Sequence, residues 1–194
     1  MLRDLLNEQV VAINQKAKNW EEAIRIAGSI LVNTGKCKES YIEAMIDVVK
    51  TYGPYIVIED GIAMPHAKSS LDVNEDGLAI VTLKKPVDFH NRDFENVSVF
   101  FAICATNPDA HLNFLQELSG IFETENLVEQ MCSCKEKKEI ITSAVVKLFS
   151  ESSPETNKIT DETIDRLLLD IDISSALNKI ERETAGRILK VIAE

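Results

Sequence analysis

Three histidines, His66, His90 and His111, are the side chains of this sequence best suited to group transfer at neutral pH. An imidazole with an ordinary pKa of about 6.5 is largely neutral, and so nucleophilic, near pH 7. One ring nitrogen can attack phosphorus while the other donates to a carbonyl or carboxylate and fixes the tautomer. His66 has the most constrained setting, within Gly61-Ile62-Ala63-Met64-Pro65-His66-Ala67-Lys68. Pro65 has a fixed φ and no N–H, so the backbone entering His66 is stiff. Met64, before the proline, is pushed towards extended geometry, and Gly61 permits a turn that a side chain would forbid. A histidine held this way at the end of a short apolar run is expected to be presented rather than buried, and to act as a nucleophile.

His111 follows Asn107-Pro108-Asp109-Ala110. Asn107 is a good N-cap and Pro108 suits the first helical position, which puts His111 in the first turn of a helix. The positive end of the helix dipole favours a neutral ring there, and the same end offers unpaired N–H groups to an anion. Such a ring can donate a hydrogen bond to a phosphoryl oxygen. The local sequence equally admits a solvent-facing histidine at a helix start. His90, in the polar run Phe89-His90-Asn91-Arg92, is assigned no role.

Competing chemistries fit less well. His66 and His111 with Asp88, Asp93 or Asp109 would make a metal site in principle, but the spacing matches no zinc signature and no His-x-x-x-His pair exists. No Gly-x-Ser-x-Gly elbow is present, and Cys104 lies inside an apolar strand. There is no Gly-x-x-x-x-Gly-Lys-Ser/Thr or Gly-x-Gly-x-x-Gly loop, so phosphate, if handled, comes from another protein rather than a nucleotide. No cofactor is expected. Cys37, Cys104, Cys132 and Cys134 read as free thiols, with Cys132-Ser133-Cys134 a weak metal signal.

The 194 residues carry a net charge of −11. That field repels phosphate backbones and argues against nucleic acid, while favouring basic protein partners. No apolar run approaches the roughly 18 residues of a membrane span. The first eight residues lack the basic-then-apolar order of a signal peptide, which predicts a soluble, cytoplasmic chain.

The elements that position the histidines follow from periodicity. A short helix over 2–8 precedes a β-branched strand at Val10-Val11-Ala12-Ile13. Asn19 caps a helix with Glu22 at the reciprocal position and Gly35 closing it. A second helix spans 39–50, with Tyr41, Ile42, Met45, Val48 and Val49 inward, and Gly53-Pro54 ends it. Strands are expected at 55–58, 78–83 (ended by Lys84-Lys85-Pro86) and 97–105, the last two buried on both faces. The helix from Asn107 runs to Phe122 with Leu112, Leu115, Leu118, Ser119 and Phe122 as its apolar stripe. Thr124 caps a short helix, and Ser133-Cys134-Lys135-Glu136 is a capping box for a last helix to Phe149. The sum is an α/β domain over 1–149, a mixed sheet flanked by helices. Residues 150–194 read as a polar linker and a helical tail, too small for a good core alone, that packs on the domain or on a second copy as a homodimer.

The signature around His66 resembles that of the IIA components (EIIA) of the bacterial sugar phosphotransferase system (PTS), mannitol/fructose class. Tyr52-Gly53-Pro54-Tyr55 before it and Leu78-Ala79-Ile80-Val81-Thr82-Leu83-Lys84-Lys85-Pro86 after it resemble the ascorbate branch in particular. The likeness covers about residues 1–149. It implies that His66 accepts a phosphoryl group from phospho-HPr and passes it to a cysteine of an EIIB partner, with a membrane EIIC importing the sugar. It also implies that His111 is the family's second histidine, which lies beside the phosphohistidine and supports it. Two departures stand out. Many members carry an arginine in the helix before the signature, whereas Met45-Ile46-Asp47-Val48-Val49-Lys50 has none, and Lys68 is the substitute cation the sequence offers. The tail has no counterpart in the resemblance, which keeps open a regulatory module whose His66 phosphorylation controls a regulator protein.

Overall fold

The order of helical and extended patterns folds into one mixed five-stranded sheet with helices on both sides. The computed structural model describes residues 2–150 except 69, 70, 92, 93, 95 and 123; the tail expected beyond lies outside the described residues. The strands are β1 (Val11–Gln15), β2 (Val57–Glu59), β3 (Ile62–Ala63), β4 (Gly77–Val87) and β5 (Val97–Cys104), in spatial order β1-β4-β5-β3-β2. β1 runs parallel to β4 and β3 parallel to β5, while β4–β5 and β2–β3 are antiparallel. The helices are α1 (Leu2–Leu5), α2 (Trp20–Asn33), α3 (Glu39–Tyr52), α4 (Pro108–Phe122), α5 (Leu127–Ser133) and α6 (Lys137–Ser150).

Period-two alternation assigns each strand residue to one face. Ala79, Val81, Phe100, Ala102, Ala63 and Ala67 share a core with α2 and α3. The alternate residues Leu78, Ile80, Val99, Phe101 and Ile103 are buried too. They belong to the opposite face, where the Phe101 ring meets Phe122 of α4 edge-on at 5.1 Å. β4 and β5 are thus covered on both faces, as their unbroken apolar runs require.

Several local expectations are corrected. β4 continues through Lys84-Lys85-Pro86 to Val87, which pairs with Val97 after a shift in register. Pro86 is tolerated because the irregularity removes the need for its missing N–H. The strand expected at 55–58 forms instead as β2 and β3 around the Asp60-Gly61 turn. The buried face of α4 is Ala110, Phe114, Leu118 and Ile121, with Leu115; Leu112 and Ser119 are only half-buried. Thr124 does not cap α5: Asn126 occupies that position, and the Thr124 hydroxyl is buried with no hydrogen-bond partner among the described residues. The last helix is capped three residues later than expected. The Glu139 carboxylate, rather than Glu136, takes the amides of Lys135 (2.6 Å) and Glu136 (3.2 Å). At α2 the Asn19 cap forms as read, its Oδ1 accepting from the Glu22 amide at 2.9 Å. Glu22 reaches back one residue further, to the Lys18 amide at 2.7 Å.

Candidate active site

The segment leading to His66 is an extension of β3. The Gly61 carbonyl accepts from the Val99 amide at 3.0 Å and the Pro65 carbonyl from the Ile103 amide at 3.0 Å, so residues 61–65 track β5. Even-numbered residues face the other way, and the Met64 amide donates to the Ile56 carbonyl at 2.8 Å. Gly61 turns the chain into this track with φ +79°, a left-handed conformation that costs glycine little. Alternation sends Ala63 and Ala67 into the core under α2 and α3, and therefore sends His66 to the face that carries α4.

His66 is buried there, only 3 % exposed, against the expectation that it would be presented. The stiff Pro65 entry holds the backbone in line with β5, and neighbouring rings cover the imidazole. Tyr55 lies edge-on with centroids 6.0 Å apart, and the His111 ring lies 5.1 Å away at 49°. His66 Nδ1 is 2.6 Å from the Met64 carbonyl. A carbonyl only accepts, so Nδ1 carries the proton and the lone pair sits on Nε2. The tautomer is set by the residue two positions upstream, and the nitrogen left for chemistry is Nε2.

His111 is half-buried in the first turn of α4. Its amide donates to the Asn107 carbonyl at 3.1 Å, and Asn107 Oδ1 accepts from the Ala110 amide at 2.9 Å, the cap read from the sequence. The ring nitrogen Nε2 is a buried atom with no hydrogen bond among the described residues. The fold thus brings together two histidines 45 positions apart in sequence (111 − 66). At the positive end of a 15-residue helix, this pair suits stabilisation of an anionic group.

The other named residues stand apart. His90 is 81 % exposed and pairs with Asp88, Nδ1 to Oδ2 at 2.9 Å. Lys50 is occupied by Glu21 of α2 at 3.1 Å, and Lys68 is exposed. Among the described residues no group of three or more His, Cys, Asp or Glu side chains is arranged to hold a metal ion. Two participants are absent from the sequence reading of the site. Tyr55, eleven positions before His66, enters the sequence reading only through the branch-like segment Tyr52-Gly53-Pro54-Tyr55, which implies no contact with the histidine. Tyr41 does carry a local signal: a phenol on an otherwise apolar helix face must find a polar partner inside the protein.

Residues 4–144 match the family described as the phosphoenolpyruvate-dependent sugar phosphotransferase system, EIIA 2. The chain belongs to that family. The EIIA 2 match spans α2 to α5, the first part of α6, the sheet and both histidines of the pair. This EIIA 2 chain is 31 % identical over 142 residues to the ascorbate-specific PTS system EIIA component of Escherichia coli K12, covering 72 % of this chain and 92 % of that one. Among solved structures it resembles a candidate PTS IIA domain from Streptococcus pyogenes M1 GAS (TM-score 0.70, 32 % identity, 76 % of this chain and 97 % of that one). It also resembles the mannitol-specific cryptic phosphotransferase enzyme IIA CmtB of Escherichia coli (TM-score 0.66, 28 % identity, 74 % and 97 %). As an EIIA 2 member the chain is a phosphotransferase component with a phosphocarrier role in a sugar phosphotransferase system, and its mixed sheet is the mannitol-type IIA fold. No helix among the described residues is long and apolar enough to cross a membrane.

Proposed function

We propose that the chain is the cytoplasmic EIIA phosphocarrier of an ascorbate or related acid-sugar or pentitol system. His66 takes the phosphoryl group from phospho-HPr and passes it to a cysteine of EIIB, which phosphorylates the sugar as EIIC imports it. The observation that carries this reading is the His66–His111 pair, 5.1 Å apart, with the His66 tautomer locked by Met64. Nε2 of neutral His66 attacks phosphorus in line as the N–P bond to the donor histidine breaks, and the donor imidazole leaves with the electron pair. His111 and the α4 amides stabilise the charge spread over the equatorial oxygens. The reverse geometry serves the onward step, where a thiolate takes the group and His66 leaves as a neutral ring. The ascorbate assignment is supported by relatives near 30 % identity and by the branch-like segments that flank the signature. The regulatory alternative rests on residues beyond the described region and has no site feature in its favour.

The test is uptake of acid-labile phosphate from phosphoenolpyruvate through enzyme I and HPr, followed by transfer to EIIB of an ascorbate system. His66→Ala should take up none. His111→Ala should still be phosphorylated, about 10²- to 10³-fold more slowly, the loss seen on removing one transition-state donor. Uptake by His66→Ala at the wild-type rate would refute the assignment.

A further inference from the structure

We propose that Tyr41 is a positioning residue for His66, its hydroxyl inserted as a relay into the ladder between β5 and the chain that carries the histidine. In a parallel ladder, an amide donating to residue i is followed by the amide of residue i+2 donating back to the same partner. The first of these bonds is present, Ile103 N–H to the Pro65 carbonyl at 3.0 Å. The next would run from the Ala67 amide to the Ile103 carbonyl. Instead the Ala67 amide donates to the Tyr41 hydroxyl at 3.0 Å. The one proton of that hydroxyl lies within reach of two carbonyls, Ile103 at 3.2 Å and Ala67 itself at 2.8 Å. One side-chain oxygen therefore stands where a backbone bond would close.

The consequence falls on His66. Its two neighbours, Pro65 and Ala67, are both referred to Ile103, one directly and one through Tyr41. The Ala67 amide thus ends on a side-chain oxygen of α3 rather than on a β5 carbonyl. The phenol comes from α3, on the far face from His111, and is 1 % exposed. Tyr41 acts on the backbone whose angle aims the ring and keeps Nδ1 on the Met64 carbonyl. A loop histidine is thereby fixed from both sides by the sheet and the helix behind it, without any contact that a donor protein would have to displace.

The effect on transfer rests on the phosphocarrier reading; the effect on the His66 ring does not. The test compares wild type, Tyr41→Phe and Met45→Ala, a buried change one turn further along the same helix face that leaves the ladder alone. In ¹⁵N spectra of the unphosphorylated protein, wild type and Met45→Ala should show His66 as the Nδ1–H tautomer. Tyr41→Phe should show a mixture of tautomers while staying folded. Phosphoryl uptake by Tyr41→Phe should fall about ten- to hundredfold, the scale expected for a misplaced reacting group, with Met45→Ala nearer wild type despite lower stability. In wild type the Tyr41 hydroxyl proton should exchange slowly and show a nuclear Overhauser contact to the Ala67 amide, a measurement independent of how the variants fold. A single Nδ1–H tautomer in Tyr41→Phe, or the absence of that contact in wild type, overturns the proposal. If wild type takes up no phosphate, the functional reading fails, and the tautomer and hydroxyl measurements still decide the role of Tyr41.

Discussion

Gly61 is the hinge on which the His66 segment enters the sheet, and Gly61→Ala should be costly for two separable reasons. The first is conformational. At φ +79° an alanine sits in left-handed space, at about 1–2 kcal/mol. The second is steric. A Cβ at this position would lie 2.9 Å from Val128 Cγ2 and 3.1 Å from Cγ1, on α5. Forcing a methyl into that contact costs about 1–3 kcal/mol. The sum, about 2–5 kcal/mol, lowers Tm by roughly 5–20 °C in a chain of this size. Val128→Ala in the Gly61→Ala background should recover the steric part and leave the conformational part, so a double-mutant cycle should show a favourable coupling of about 1–3 kcal/mol. The assay is urea unfolding followed by circular dichroism for the four proteins, with linear extrapolation. A Gly61→Ala protein within about 0.5 kcal/mol of wild type, or a coupling near zero, refutes the reasoning.

Other outcomes follow from single features. Asn19→Ala removes the acceptor of the Glu22 amide and should cost about 1 kcal/mol in the same urea assay, with Asn19→Asp close to neutral. The neighbouring Cys37 and burial push the Cys104 thiol far above the usual range. Cys37 is buried beside it, whereas Cys132 and Cys134 are only half-buried, so in native protein alkylation followed by mass spectrometry should label Cys132 and Cys134, with Cys37 and Cys104 labelled only after unfolding. The Glu136 and Lys135 amides hold the Glu139 carboxyl below its usual range. A depressed folded pKa contributes stability above the unfolded pKa and loses it as pH falls through the folded one. Glu139→Gln should accordingly melt below wild type at pH 7, with the gap closing in acid.

The strong signals were legible in the sequence because they are local. Asn19 and Asn107 cap the helices assigned to them, and the continuous apolar runs at 78–83 and 97–104 are central strands. The His66 signature and the family likeness it carries agree with the EIIA 2 match and with the mixed sheet. What failed depended on partners remote in sequence. His66 read as presented because a proline-stiffened turn has no local reason to be covered, and the rings that cover it come from residues 55 and 111. Lys84-Lys85-Pro86 read as a strand end because its exposed side chains and missing N–H are unfavourable, yet Val87 finds Val97 on β5 and draws the strand on. At α6 a competing carboxylate three residues along takes the amides, and at α5 Asn126 holds the cap position in left-handed backbone with no side-chain bond, choices that only the tertiary path of the chain makes. Tyr41 was visible only as one member of a buried helical stripe; its hydroxyl acquires a role from Ala67 and Ile103, 26 and 62 positions away.

The central claim is that Nε2 of His66 is the nitrogen that carries the phosphoryl group. It is tested most directly by phosphorylating ¹⁵N-histidine-labelled protein with phosphoenolpyruvate, enzyme I and HPr, and reading the ³¹P–¹⁵N coupling in the labelled ring. The geometry predicts one phosphate per chain, coupled to Nε2 of His66, with Nδ1 still protonated against Met64. Phosphate on Nδ1 of His66, or on His111 instead, would contradict it.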